Sequence, residues 1–425
     1  MSTKPILAAI DMGYGHLRPA AALSGVLGTD VLQMDLPPLG NQQDREFWER
    51  TRKLYEPLTR FSQLPGLGPP MRALLNTITA IPSPWPARDL SAATQGTRWL
   101  QRAARDGIGR TLAERLRDER APLLTTFYAA AILAELHGAT RLHCLVTDSD
   151  INRVWAPPEP LKSGITYFTP SDRAARRLLS YGVKPELIRR TGFPLPDALV
   201  GRDRAALKRN LAGRLARLDR RGLLRERAER ELGPLPEDAR APLIVFAVGG
   251  AGAQVPLARS LVRGLRAELE QQKLRLALVA GRRPEVAEAL REALYQNGLD
   301  GKVDVLFEPD VFEYFRRFEA LLAEADALWS KPSEITFYAA LGLPIICAPP
   351  VGVHESWNLR WAQDRGAALP QHEPALAGGW LTEWCEDGVL ASAAWAGFTR
   401  LPSQGVYEIA SAVLERSSEE PGQHA

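Results

Sequence analysis

The run "AAIDMGYGHLRPAAAL", beginning at Ala8, sets two glycines and a histidine where an apolar stretch gives way to a helix-forming one. Gly13 and Gly15 let main chain approach a ligand closely, and a helix starting behind them presents free N–H groups and positive potential to an anion. Pro19 suits the first turn of that helix. His16 then stands at the helix start, as a base or hydrogen-bonding group for a ligand, or as a structural histidine satisfied by backbone. The spacing first suggests the dinucleotide fingerprint GxGxxG, with Asp30 and Asp35 downstream. Arg18 occupies the third glycine's place, so the close helix packing of that motif is lost and NAD binding is not expected.

A second glycine turn lies in "VFAVGGAGAQVPLARSL", where Gly249, Gly250 and Gly252 follow an apolar run and Gln254 precedes a helix. Two such turns point to a phosphorylated ligand more firmly than either one does. The third cluster is "WSKPSEITFYAALGLPIICAPPVGVHESWNLRWA". Lys331 and Pro332 end an apolar run, and Ser333 and Glu334 can cap a following helix. His354, Glu355, Ser356 and Asn358 open another, where a carboxylate either caps or accepts a pair of sugar hydroxyls.

These residues need elements to position them. Short apolar runs alternate with amphipathic segments in two series: "PILAAID", "DVLQMD", "PLLTTF", "RLHCLVTD", "ITYFTP" and "IRRTGFP", then "PLIVFAVGG", "LRLALVAG", "VDVLFEP", "ALLAEADALWSK" and "GLPIICAPP". Apolar runs without period-two alternation, each followed by a helix, describe parallel strands covered on both faces. The expected fold is α/β with two doubly wound Rossmann-like domains facing a central cleft, and ligands belong beyond the carboxyl ends of the strands. Expected boundaries are residues 1–200 for a first domain with a helical insert at about 41–120, 201–240 for a basic linker, 241–400 for a second domain, and 401–425 for a final helix and polar tail. The insert mixes aromatics, arginines and prolines, which fits packed helices or a surface meeting an amphiphilic substrate.

The chain has 425 residues, 45% hydrophobic and 24% charged, with a formal charge of +3. That describes a globular protein, and no apolar run approaches the ~18 residues of a membrane span. The N-terminus lacks the pattern of a secretory signal, so a cytoplasmic protein is expected. Cys144, Cys347 and Cys385 are scattered, which suits buried reduced thiols and no disulfide or metal framework. The arginine-rich stretch from Arg202 to Arg230 reads as a solvated helix face; without interleaved aromatics it does not suggest nucleic acid.

Four motifs in order, "GYGHLRPA", "VTDSDINRVWAPPEP" with "YFTPSDRAARRLLSYGVKPELIRRTGFP", "GGAGAQ" and "SKPSEITFYAALGLPIICAPPVGVHESWN", resemble those of GT-B glycosyltransferases of the monogalactosyldiacylglycerol synthase type. They are similar, more distantly, to the bacterial transferase that adds N-acetylglucosamine to lipid-linked muramyl peptide. The resemblance implies transfer of a sugar from a UDP-sugar, bound mainly by the second domain, to an acceptor entering from the first. It implies inversion with no metal and no cofactor beyond the donor. His16 is then the candidate base and Asp148 the rival carboxylate. Gly249, Gly250, Gly252, Gln254, Lys331, Ser333, Glu334, His354, Glu355 and Asn358 would hold the donor. Gly13, Tyr14, Gly15, Asn152 and Trp155 would line the acceptor side. A lipid acceptor would place the protein at the inner membrane surface. Two departures stand out: Asn152 replaces the family's histidine, and Ser333 with Glu334 replaces its double glycine. A nucleotide-sugar-binding protein without catalysis and a UDP-sugar 2-epimerase are the alternatives.

Overall fold

The structure, a computed structural model, describes residues 4–61, 80–249, 252 and 254–418. It divides into two units, each with a six-stranded parallel sheet. The first comprises Met1–Pro196, Gly352–Trp357 and Gln404–Ala425, and the second Asp197–Val351 and Asn358–Ser403.

In the first unit the strands are β1 (Ile6–Ala9), β2 (Val31–Gln33), β3 (Leu123–Thr125), β4 (Leu142–Leu145), β5 (Thr166–Thr169) and β6 (Ile188–Arg190), ordered β2-β1-β3-β4-β5-β6. Strands β1, β3, β4 and β5 are buried at every residue, the reason their sequences show apolar runs without alternation. Helix α1 (Tyr14–Leu27) follows β1. It starts five residues before Pro19, which therefore sits in the second turn and not the first. Proline has no N–H, so the Gly15 carbonyl receives no helical hydrogen bond there.

The described insert holds α2 (Gln42–Phe61) and helices Gln95–Arg105 and Arg110–Asp118, with residues 80–94 free of helix and strand. Trp48 is 1% exposed, and Phe47 stacks on Trp99 with ring centroids 5.0 Å apart. Leu100, Ile108 and Leu112 complete the buried face. Asp44 ties the layer together, accepting from the N–H groups of Asn41 at 2.9 Å and Gly109 at 2.8 Å. Residues 62–79 of the expected insert and 419–425 of the expected tail lie outside the described residues.

The second unit holds β7 (Leu243–Ala247), β8 (Arg275–Gly281), β9 (Asp304–Phe307), β10 (Ala327–Ser330), β11 (Ile345–Cys347) and β12 (Ala368–Pro370), ordered β12-β11-β10-β7-β8-β9. The basic stretch is built into this unit. Its helix Ala205–Leu218 buries Arg214, whose guanidinium donates to the carbonyls of Ala325 (2.8 Å), Leu341 (3.1 Å) and Gly342 (2.8 Å). Burial pushes that guanidinium down to about 10, still charged at neutral pH. Arg217 pairs with Asp326 at 2.8 Å and also with Asp238. The expected solvated face is therefore partly a buried one. Helix Arg225–Leu232 remains on the surface, with two of its three arginines paired in Arg225–Glu229 and Arg230–Glu226.

The final helix, Gly405–Ser418, belongs with the first unit and buries Val406, Ile409, Ala410 and Val413. All three cysteines are buried and free. Among the described residues, no helix is long and apolar enough to cross a membrane.

Candidate functional site

Each sheet reverses its strand order once. In the first the reversal falls between β1 and β3, because β2 lies on one side of β1 and the remaining strands on the other. In the second it falls between β7 and β10. The crevice beyond the carboxyl ends of strands at such a reversal is where open α/β sheets bind ligands. Both glycine turns start there.

His16 is the third residue of α1, half-buried, beside the end of β3. Its Nδ1 lies 2.7 Å from the Thr126 carbonyl, and the Thr126 hydroxyl donates back to the His16 carbonyl at 2.8 Å. A carbonyl only accepts, so Nδ1 carries the proton, and in the neutral ring Nε2 holds the lone pair. Phe127 meets the ring edge-on with centroids 5.0 Å apart. The ring is thus fixed in tautomer and in plane. Gly13 is the N-cap residue, with φ of 115°, and α1 has neither a side-chain cap nor an acidic residue in its first turn. Its positive end is not neutralised from within that turn. Tyr14 and Gly15 are partly buried in the same turn, and the Arg18 guanidinium lies 5.5 Å from the Tyr14 ring centroid. Asp35, noted above downstream of the glycine turn, is buried and paired with Arg52 at 2.8 Å.

The second turn is built just as tightly. Gly249 N–H donates to Gln254 Oε1 at 2.9 Å, and Gly252 N–H donates to the Gly249 carbonyl at 2.8 Å. Gly252 has φ of +75°, and a Cβ there would stand 3.1 Å from Val286 Cγ2. A Cβ on Gly249 would stand 2.8 Å from Lys331 Cε. Lys331 therefore lies directly against the glycine turn, bringing together two residues 82 positions apart in sequence. The adjacent Ser330 hydroxyl donates to the Ala247 carbonyl at 2.9 Å, joining the ends of β10 and β7. The helix that follows, Val255–Gly264, also has no acidic residue in its first turn. Turn, helix start and lysine form one electropositive corner. Gly250 lies outside the described residues.

No family profile matches the chain. In structure it is similar to MurG of Acinetobacter baumannii, at a TM-score of 0.51 and 13% identity, over 97% of this chain and 99% of that one. It is similar to MnaA of S. aureus, in its co-structure with UDP, at a TM-score of 0.52 and 11% identity, over 99% of this chain and 98% of that one. The fold is GT-B. In sequence the chain is 23% identical to a processive diacylglycerol beta-glucosyltransferase of Bacillus licheniformis, over 55% of this chain and 51% of that protein. It thus spans about half the length of the curated relatives it matches.

Within this GT-B frame the remaining residues divide by burial. Asp148 is half-buried in the loop after β4, the strand beside β3 and next but one to β1. Asn152 follows in the same loop with its Oδ1 buried and without a hydrogen-bond partner among the described residues. Trp155, expected on the acceptor side, is 6% exposed, belongs to the first unit's core, and its carbonyl accepts from the Tyr167 hydroxyl at 2.8 Å. Its ring lies beside that of Tyr128, with centroids 5.1 Å apart. Ser333 occupies a cap position without capping by its side chain, and the segment after it is a 3-10 helix, Glu334–Leu341, buried at every residue. Glu334 is among those buried residues. The helix Val353–Gln363 buries Glu355 and Asn358, one turn apart, while His354 is exposed and folds its ring back against Gly352. His354 and Glu355 count with the first unit and Asn358 with the second, although one helix carries all three.

Two residues of consequence were not anticipated. Thr126 holds His16 by the paired hydrogen bonds above. Asp150, two residues past Asp148, receives both Nε and Nη2 of Arg177 at 2.8 Å and fixes the loop that carries Asp148. Burial acts to lower the Arg177 guanidinium, but the hydrogen bonds and charge of Asp150 outweigh it and hold the group above its usual value. The repeated aspartate in "TDSD" was the available signal.

Proposed function

We propose that the protein is a glycosyltransferase that moves a hexose from a UDP-sugar to a lipid hydroxyl, with inversion and without a metal. The observation that carries this reading is the ring of His16, whose Nδ1–H donates to the Thr126 carbonyl, which in the neutral ring makes Nε2 the proton-accepting nitrogen. In the proposed step Nε2 takes the acceptor proton, the acceptor oxygen attacks the anomeric carbon, and the bond to the diphosphate breaks on the opposite face. The departing UDP gains negative charge, which the Gly249–Gly252 turn, the helix start behind it and Lys331 would stabilise. Asp148 is the rival base. Glu355 and Asn358 would hold sugar hydroxyls.

The curated relatives are named for glucosyl transfer to diacylglycerol, which supports a diacylglycerol-type acceptor and a glucosyl donor. The UDP in the MnaA co-structure agrees with a uridine nucleotide. Such an acceptor would bring the protein to the cytoplasmic face of a membrane as a peripheral protein. The test is incubation with UDP-glucose, UDP-galactose or UDP-N-acetylglucosamine, with and without diacylglycerol in mixed micelles, measuring UDP release and product mass. Diacylglycerol-dependent release of UDP with a hexosyl-lipid product is expected. No UDP release would contradict the reading; a 2-epimer formed without acceptor would replace it by the epimerase, and UDP binding without turnover by the binding protein.

A further inference from the structure

The helix Gln95–Arg105, "QGTRWLQRAAR", buries one face and arms the other. Thr97, Leu100, Ala103 and Ala104 are buried, while Arg98, Arg102 and Arg105 are exposed at spacings of four and three residues. Together with Gln95 and Gln101 these arginines line a groove of about 490 Å³.

Elsewhere on the surface some helical arginines have carboxylate partners one turn away, Arg45 with Glu49 at 2.8 Å, Arg115 with Glu119 at 2.8 Å and Arg266 with Glu270 at 3.0 Å, whereas Arg259 and Arg263 stand exposed one turn apart in a helix with no acidic residue. The helix Gln95–Arg105 likewise contains no acidic residue, and among the described residues its three arginines form no ion pair. Like charges one turn apart cost a helix ~0.2–0.5 kcal/mol per pair, so the arrangement is slightly unfavourable by itself and a bound anion would offset it. Guanidinium groups match a phosphate by paired N–H donors, and the amides of Gln95 and Gln101 can complete its shell.

We propose that this groove is a binding site for a phosphate group, separate from the glycine turns. The inference does not rest on the transferase reading. Two sources share the chemistry, a free phosphate compound and a phospholipid headgroup, and the experiment separates them. Inorganic pyrophosphate is titrated calorimetrically into the full chain, and sedimentation is measured with vesicles of phosphatidylcholine alone or mixed with phosphatidylglycerol. The wild type is compared with Arg98→Gln/Arg102→Gln/Arg105→Gln and with Arg225→Gln/Arg230→Gln, which removes paired arginines. At roughly fivefold per arginine, the triple variant should bind about a hundredfold more weakly, and the control should be unchanged. Loss of pyrophosphate binding identifies a free phosphate compound; loss of phosphatidylglycerol-dependent sedimentation alone identifies a headgroup. If the wild type binds neither probe, or triple variant and wild type bind alike, the proposal is overturned. Arg102→Gln alone, a change at an exposed position, keeps the test open if the triple variant does not fold.

Discussion

His16 is held by a residue 110 positions away, and that long reach explains what its local sequence could and could not reveal. Two glycines before a histidine at a strand-to-helix turn are a local pattern and readable as such. The threonine that sets the tautomer depends on β3 lying beside β1, which no local pattern states. The second turn gives a direct prediction. Gly252 has a left-handed φ and Val286 pressing on the place of a Cβ, so Gly252→Ala should cost about 1–2 kcal/mol of stability and weaken UDP binding. Urea denaturation and UDP titration check both; a variant as stable as the wild type contradicts the strain. The cysteines give another. Burial pushes Cys347 and Cys385 up to about 12 and raises Cys144 as well, so at about pH 8 the folded protein should resist iodoacetamide until it is denatured. Mass spectrometry showing rapid labelling of the native chain would contradict this.

At the scale of elements, strands were the most legible feature, because burial on both faces leaves an unbroken apolar run. β12 was not read: three residues, "ALP", half-buried toward the edge of the sheet, carry too little pattern. Helix starts were less legible, since Pro19 marks a first turn by preference but here stands in the second. The basic stretch misled for a related reason, as charge predicts exposure until a side chain finds enough acceptors, and Arg214 finds backbone carbonyls. The loop that carries Asp148 and Asn152 depends on one buried ion pair, Arg177 at 4% and Asp150 at 0% side-chain exposure. Removing one partner of such a pair typically costs ~3–5 kcal/mol, so Asp150→Ala should lower stability by about that amount. A loss below about 1 kcal/mol in urea denaturation would show that the pair does not hold the loop.

For the molecule as a whole, the same arrangement occurs twice: a parallel sheet, one reversal of strand order, and a glycine turn at the reversal. Repetition in the sequence made the fold readable, and the resemblance implied the return of the final helix to the first domain, which contacts with α1, far from it in the chain, bring about. Val406, Ile409 and Val413 are fully buried there. At ~1.5–3 kcal/mol each, deletion of residues 404–425 should destabilise the first unit by roughly 5 kcal/mol and speed its proteolysis. Unchanged protease resistance would contradict that role. The central claim is that His16, oriented by Thr126, removes the acceptor proton in a sugar transfer. Its most direct test is the rate of diacylglycerol-dependent UDP release by His16→Ala beside the wild type, with UDP affinity measured in parallel. A fall in kcat of about 10²–10⁴ with UDP affinity retained is predicted; an unchanged kcat would remove His16 from the chemistry.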